Sequence, residues 1–190
     1  LGRDDLRVPA SDVPALRHLR ATGPHLIYTH LGDDSNARIS AARESVRHLR
    51  GGGALLVYAA GKVEPDPAVL PGAREALQDW SGSLGWFLRQ VPDAVLVVTI
   101  VSQVLAPSCL RHPVTLLRKK QRRKQFLAET VQIGQQVLLG RRFSLTPEVR
   151  FGAPLTAADL GGGRDPEAAR GVIMARAESL LAEAAGEPLT

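Results

Sequence analysis

The chain reads as an α/β fold, a mostly parallel sheet flanked by helices, and three observations predict it. Aliphatic runs of strand length recur at 25–29, 54–60 and 94–101. Between them lie stretches whose apolar residues repeat at intervals of three and four, as at Ile39, Ala42, Val46 and Leu49. Glycine, proline and aspartate cluster at the junctions, where turns must form. Strands alternating with helices imply parallel crossovers, and 190 residues suffice for one well-packed domain spanning 1–190.

Ser11 and Asp12 stand just ahead of Pro14, and leucines 16 and 19 follow at helical spacing. This predicts a short helix over 13–21, ended by Gly23 and Pro24. A strand follows at 25–29 (HLIYT), then a polar turn over 31–36. The next helix places Ile39, Ala42, Val46 and Leu49 on one face, with Arg43, Glu44, Arg47 and Arg50 mostly elsewhere. Glycines 51–53 stop it. The run 54–60 suits a strand shielded on both faces. A helical stretch over 72–90 is interrupted by Ser81, Gly82, Ser83 and Gly85, which predicts a turn between two helices. The segment 94–101 (AVLVVTIV), rich in β-branched residues, reads as a central parallel strand covered on both faces. Pro113 opens a helix running to about Leu139. Residues 145–151 return as a strand that Pro147 confines to an edge or a late start. An amphipathic helix over 165–185 closes the chain, with Val172, Ile173, Leu180 and Leu181 as its apolar side. There is no internal repeat and no low-complexity segment.

Composition narrows the function. The sequence begins Leu1, Gly2, Arg3, without Met or a signal-like segment, and is expected to be an excised or truncated piece. Its longest aliphatic stretch falls far short of the roughly 20 residues a spanning helix needs. Cys109 is the single cysteine, so no internal disulfide forms and a reducing compartment fits. A net charge of +5 and a pI near 10.0 favour anionic partners. Aromatic residues make up 4% of the chain, and none interleaves with the basic cluster as a stacking platform for nucleic acid would.

The loop after the 54–60 run is the candidate site. Gly61 permits close backbone approach, Lys62, Glu64 and Asp66 follow on a segment stiffened by Pro65 and Pro67, and ligands of open α/β sheets bind beyond the carboxyl ends of strands. Lys62 and Glu64 either line a site or form a solvated turn. His30 is either a phosphate ligand or base oriented by Asp33 or Asp34, or a loop histidine beside capping aspartates. Arg74 follows a helix start that favours anions, or is simply a surface arginine. Arg118, Lys119, Lys120, Arg122, Arg123 and Lys124 put six positive charges in seven residues, a membrane-contact patch or a solvated face. Cys109 and His112 have no spacing that makes a dyad. Trp80, Trp86 and Phe87 belong to the core or to an acyl groove.

The element order over 24–155, with Leu70-Pro71-Gly72-Ala73-Arg74, Val91-Pro92 and the late V-x-F-G-x-P from Val149 to Pro154, resembles the phospholipid and glycerol acyltransferase superfamily, which includes the 1-acylglycerol-3-phosphate acyltransferases. The family's F-P-E-G-T-R-S motif falls on Tyr58-Ala59-Ala60-Gly61-Lys62-Val63-Glu64, where only the glycine matches strictly. The phosphate-holding arginine of the second motif falls on His30. The catalytic H-x4-D motif does not occur in this chain, so no catalytic residue is assigned; the expectation is that it preceded Leu1. The resemblance implies transfer of a fatty acyl group from coenzyme A or acyl carrier protein to a hydroxyl of a phosphorylated glycerol lipid. It implies no bound cofactor or metal, and the fragment alone would be inactive. Gly61, Lys62, Glu64, His30 and Arg74 would hold the acceptor. The protein would be cytoplasmic and peripheral at an anionic membrane surface. The alternatives are a non-catalytic module binding anionic lipid and, less favoured, nucleic-acid binding through the basic helix.

Overall fold

A three-stranded parallel sheet in the order β2-β1-β3 organises the amino-terminal part of the chain. The computed structural model describes residues 3–18, 21–29, 35–117 and 121–185. β1 (Leu6–Ser11) is central. It pairs with β2 (Leu26–Thr29) from Val8↔Leu26 to Ser11↔Thr29, and with β3 (Ala54–Leu55) only at Leu6↔Ala54 and Arg7↔Leu55. A short α1 (Pro14–Arg17) and a 3-10 turn (Gly23–His25) lie between β1 and β2, and α2 (Ser35–Arg50) carries the chain across to β3 on the far side of β1. The chain thus reverses its direction of travel between β1 and β3, which makes their carboxyl ends a topological switch point.

β1 was not expected from the sequence, and Pro9 in its middle lacks a ladder donor. The register explains the tolerance. The Arg7 carbonyl accepts from Leu56 N at 2.9 Å, so Arg7 faces β3. Pro9, two residues on, faces the same way, where β3 has stopped pairing. No hydrogen bond is lost there, and a notch opens beside Pro9.

α2 ends where predicted. Gly52 adopts φ 81°, and the His48 imidazole reaches the carbonyls of Asp5 at 2.7 Å and Ala54 at 3.1 Å. A Cβ on Gly53 would overlap that ring. The buried face of α2 is set by Ala41, Ser45 and Val46, while Ile39 is exposed, contrary to expectation. The helix expected over 13–21 shrinks to α1, since the chain must turn back at once to feed β2. The strand expected over 54–60 is only β3, with Leu56 and Tyr58 exposed.

A second sheet is antiparallel. β4 (Thr99–Ser102) pairs with β5 (Glu148–Phe151), and a bridge between Leu96 and Leu155 extends the ladder. The 94–101 run is therefore not a central parallel strand. Val98, Ile100 and Ser102 are buried while Val97 and Val101 are exposed, so one face alone is covered. Its cover is α8 (Pro166–Ala185), whose Ala169, Ile173, Ala177 and Leu180 join Val98 and Ile100 in one core. Val172 lies off that face, at 39% exposure. Asp165 caps α8 by accepting from Glu167 N and Ala168 N. β5 begins just after Pro147, as predicted.

α3 (Ala73–Ala76) passes into a 3-10 turn (Leu77–Asp79), and α4 (Ser83–Gln90) follows a break at 80–82. The predicted interruption exists, but Ser83 and Gly85 lie inside α4, where Gly85 lets α8 approach. A Cβ there would stand 2.9 Å from the Ala169 Cβ. Beyond β4, α5 (Pro107–Leu110), α6 (Pro113–Leu116) and α7 (Gln121–Leu139) enclose a second core of Leu70, Leu105, Ala106, Cys109, Leu110 and Ala128. Pro113 does open a helix, but α6 stops at Leu116 and Leu117 turns, so 113–139 is not one helix.

Candidate functional site

The carboxyl ends of β1, β2 and β3 converge on a cavity of about 920 Å³. Ser11 and Thr29 come from the strand tips, and Gly61, Lys62, Glu64 and Asp66 from the loop after β3. The notch beside Pro9 opens into it. A second hollow of about 280 Å³ lies between the β3 extension and β4, lined almost wholly by apolar side chains such as Leu55, Leu56, Phe87 and Val97. The two share Val57, Tyr58, Glu64, Trp80, Thr99 and Val101, so the cavity that carries the charged side chains is continuous with the apolar hollow.

The loop charges are held in place. The Trp80 indole N–H donates to Glu64 Oε1 at 2.7 Å, and Lys62 Nζ lies 3.0 Å from Asp79 Oδ1. Trp80 is positioned in turn by α8, because Arg170 Nε donates to the Trp80 carbonyl at 2.9 Å and Nη2 to the Gln78 carbonyl at 2.5 Å. A tie from the carboxyl-terminal helix thus reaches the loop through one indole.

Asp66 is the deepest of the lining charges, at 3% exposure. Its Oδ1 accepts from Ala68 N at 3.0 Å and Gln103 N at 3.1 Å, and its Oδ2 from Val104 N at 2.9 Å and Leu105 N at 3.2 Å. The Asp66 N–H donates to Gln125 Oε1 at 2.7 Å, and Gln125 Nε2 donates to Glu129 Oε1 at 2.7 Å. The Asp66 carboxylate therefore locks the site loop to the turn after β4, and the Asp66 backbone N–H ties it through Gln125 to α7. The carboxylate also satisfies the amide of Gln103, which sits in the left-handed region at φ 60°. This role was missed in the sequence. The signal was the triplet Pro65-Asp66-Pro67, since an aspartate bonding the amide two residues on makes an Asx turn.

Among the described residues, the charged side chains lining the cavity are Lys62 against Glu64, Asp66 and Glu129. Arg74 is exposed and does not line it. Its helix, α3, is four residues long and is preceded by Gly72 at φ 100°. His30, Asp33, Asp34, Arg118, Lys119 and Lys120 lie outside the described residues, as does the side chain of Arg122. Arg123 is exposed and Lys124 half-buried. Cys109 is buried in the second core, and no described hydrogen bond joins its thiol to His112. Trp86 and Phe87 stack edge to face at 5.2 Å, and Phe87 lines the apolar hollow. Gly152 of the late motif lies under Arg176, whose Cγ would stand 3.0 Å from a Cβ there. Among the described residues no group of histidine, cysteine and carboxylate side chains is arranged to hold a metal, and no helix is long and apolar enough to cross a membrane.

No family model matches this chain, and no curated protein or solved structure matches it.

Proposed function

We propose that this domain is the acceptor-binding part of an acyltransferase acting on phosphorylated glycerol lipids. The observation that carries the reading is the continuity, at the switch point of the parallel sheet, of a cavity bearing Lys62, Glu64 and Asp66 with a hollow lined almost wholly by apolar side chains. An acceptor with one acyl chain has that same division. Its chain fits the hollow beside Phe87 and Val97, and its glycerol hydroxyls meet Ser11, Thr29 and the Glu64 carboxylate. Its phosphate is met by Lys62, the cation among the described lining residues, which exchanges Asp79 for the ligand. The resemblance at Gly61, Leu70 to Arg74 and Val149 to Pro154 supports the same class.

Acyl transfer needs the acceptor hydroxyl to lose its proton as it attacks the thioester carbon, so that a C–O bond forms while the C–S bond breaks and the thiol departs. A histidine oriented by a carboxylate suits that proton transfer. The chain contains no H-x4-D and no described lining residue is a histidine, so the chemical step is assigned to the complete protein and binding to this domain. The lack of a histidine among the described lining residues and the engagement of Glu64 by Trp80 also favour the second reading, a non-catalytic module that binds anionic lipid.

An assay of this chain with acyl-coenzyme A and 1-acylglycerol 3-phosphate separates the readings when run beside the complete protein. Binding of the acceptor by both, with esterification by the complete protein alone, is expected. Binding without esterification by either would leave the module, and turnover by this chain would overturn the division of labour.

A further inference from the structure

Part of the chain's positive charge is displayed at the two ends of α7. The helix turns Ala128 and Gln132 toward the second core and α5. On the opposite face stand Phe126, Ile133 and Val137, exposed by 58, 59 and 74%. With Thr130 they repeat at intervals of four, three and four, one continuous stripe on a helix. Thr130 does not interrupt it, because its hydroxyl donates back to the Phe126 carbonyl at 2.7 Å. Leu138 and Leu139, and Leu116 and Leu117 at the end of the packed neighbour α6, are also exposed. Scattered apolar residues on a surface are ordinary, whereas a contiguous stripe of this size marks a contact.

The charges bracketing the stripe choose the partner. Arg123 and Lys124 stand at its amino-terminal end, and Arg141 and Arg142 lie just beyond its carboxyl end. The one acidic residue of α7, Glu129, is turned toward the cavity and held by Gln125. An apolar stripe between basic ends, whose one neighbouring carboxylate is held by Gln125, matches an anionic bilayer surface, with the stripe among the upper acyl segments and the cations among the headgroups. A second copy of this chain would bring the same cations against each other.

We infer that α7 is an interfacial anchor that seats the domain on an anionic bilayer through Phe126, Ile133 and Val137. The inference deepens the acyltransferase reading and rests on it for the choice of lipid, since the flank of α7 next to the stripe contributes Gln125 and Glu129 to the cavity, Glu129 lying one turn from both Phe126 and Ile133. A lipid acceptor would thus meet its binding cavity beside the stripe.

The test is flotation of the chain with vesicles of phosphatidylcholine, with and without phosphatidylglycerol, at low and high salt. The wild type is expected to float with the anionic vesicles, and each of Arg123→Ala, Arg141→Ala and Arg142→Ala to weaken that binding by about fivefold at low salt. The triple variant F126S/I133S/V137S, all at exposed positions, is expected to lose binding while keeping its circular dichroism spectrum. In a second measurement, the indole introduced by Val137→Trp is expected to shift its fluorescence to the blue on anionic vesicles and to be quenched by bromolipid. Unchanged flotation of the triple variant, or no shift from the introduced indole, overturns the inference. So does a dimer that the triple variant disperses, or salt-sensitive binding of duplex DNA in preference to vesicles. A short-chain acceptor dissolved below its micellar concentration reports on the cavity alone, so loss of its binding would refute the functional reading and leave the anchor standing.

Discussion

Asp66 is the residue on which the site depends most. Its carboxylate serves four backbone amides in a buried setting, and each charge-assisted bond contributes about 1.5–3 kcal/mol. Asp66→Ala leaves those donors to partial hydration, and chemical denaturation is expected to show a loss of about 3 kcal/mol. A loss under ~0.5 kcal/mol would contradict the latch, being the size expected of a plain surface substitution. At the sheet's leading edge, Arg3 Nη2 lies 2.5 Å and Nε 2.8 Å from the Asp5 carboxylate, and these hydrogen bonds hold it down to about 2 from its usual 3.8. A depressed carboxylate binds fewer protons folded than unfolded. Its contribution is therefore complete above roughly pH 4 and is lost as pH falls through about 2. The acid limb of a melting-temperature profile should be shallower in Asp5→Asn within that window; an identical limb would remove Asp5 from the account.

At the level of elements, α8 and β5 were legible because local chemistry agrees with packing. Asp165 supplies a cap, Ile173, Leu180 and Leu181 a buried face, and Pro147 a boundary. Two strands were not. β1 hides behind Pro9, whose missing donor matters only if β3 runs long enough to ask for it, and nothing in residues 6–11 states how far a partner 48 residues away will extend. The pairing of β4 was illegible because Ala94 to Val101 is aliphatic at every position but one, so the period that separates a half-covered strand from a fully covered one is absent; only α8, packing on Val98 and Ile100, decides which face is inside. The α4–α8 contact rests on Gly85, and Gly85→Ala is expected to cost about 1–3 kcal/mol by overpacking against Ala169. A neutral result in thermal melts would mean the two helices separate without penalty.

Across the whole molecule, the position of the cavity was readable in the sequence and the partners of its charged side chains were not. Gly61, Lys62 and Glu64 do line a cavity at the carboxyl end of a strand, because a glycine-led charged loop after an aliphatic run has few other places to go. Their partners, Asp79 and Trp80, lie 16 to 17 residues on, joined to them only by the fold. The basic cluster that includes Arg123 and Lys124 is plain in the sequence, whereas the meeting of Glu129 with Glu64 and Asp66 around one cavity is made only by the fold. The central claim is that Lys62 selects a phosphorylated single-chain lipid. Titration of Trp80 fluorescence with short-chain 1-acylglycerol 3-phosphate and with the matching uncharged monoacylglycerol tests it most directly. The account predicts that the phosphorylated lipid binds more tightly by about tenfold, that Lys62→Ala erases the difference and that Asp79→Asn widens it. Equal affinities for the two lipids, or a preference that survives Lys62→Ala, would contradict it.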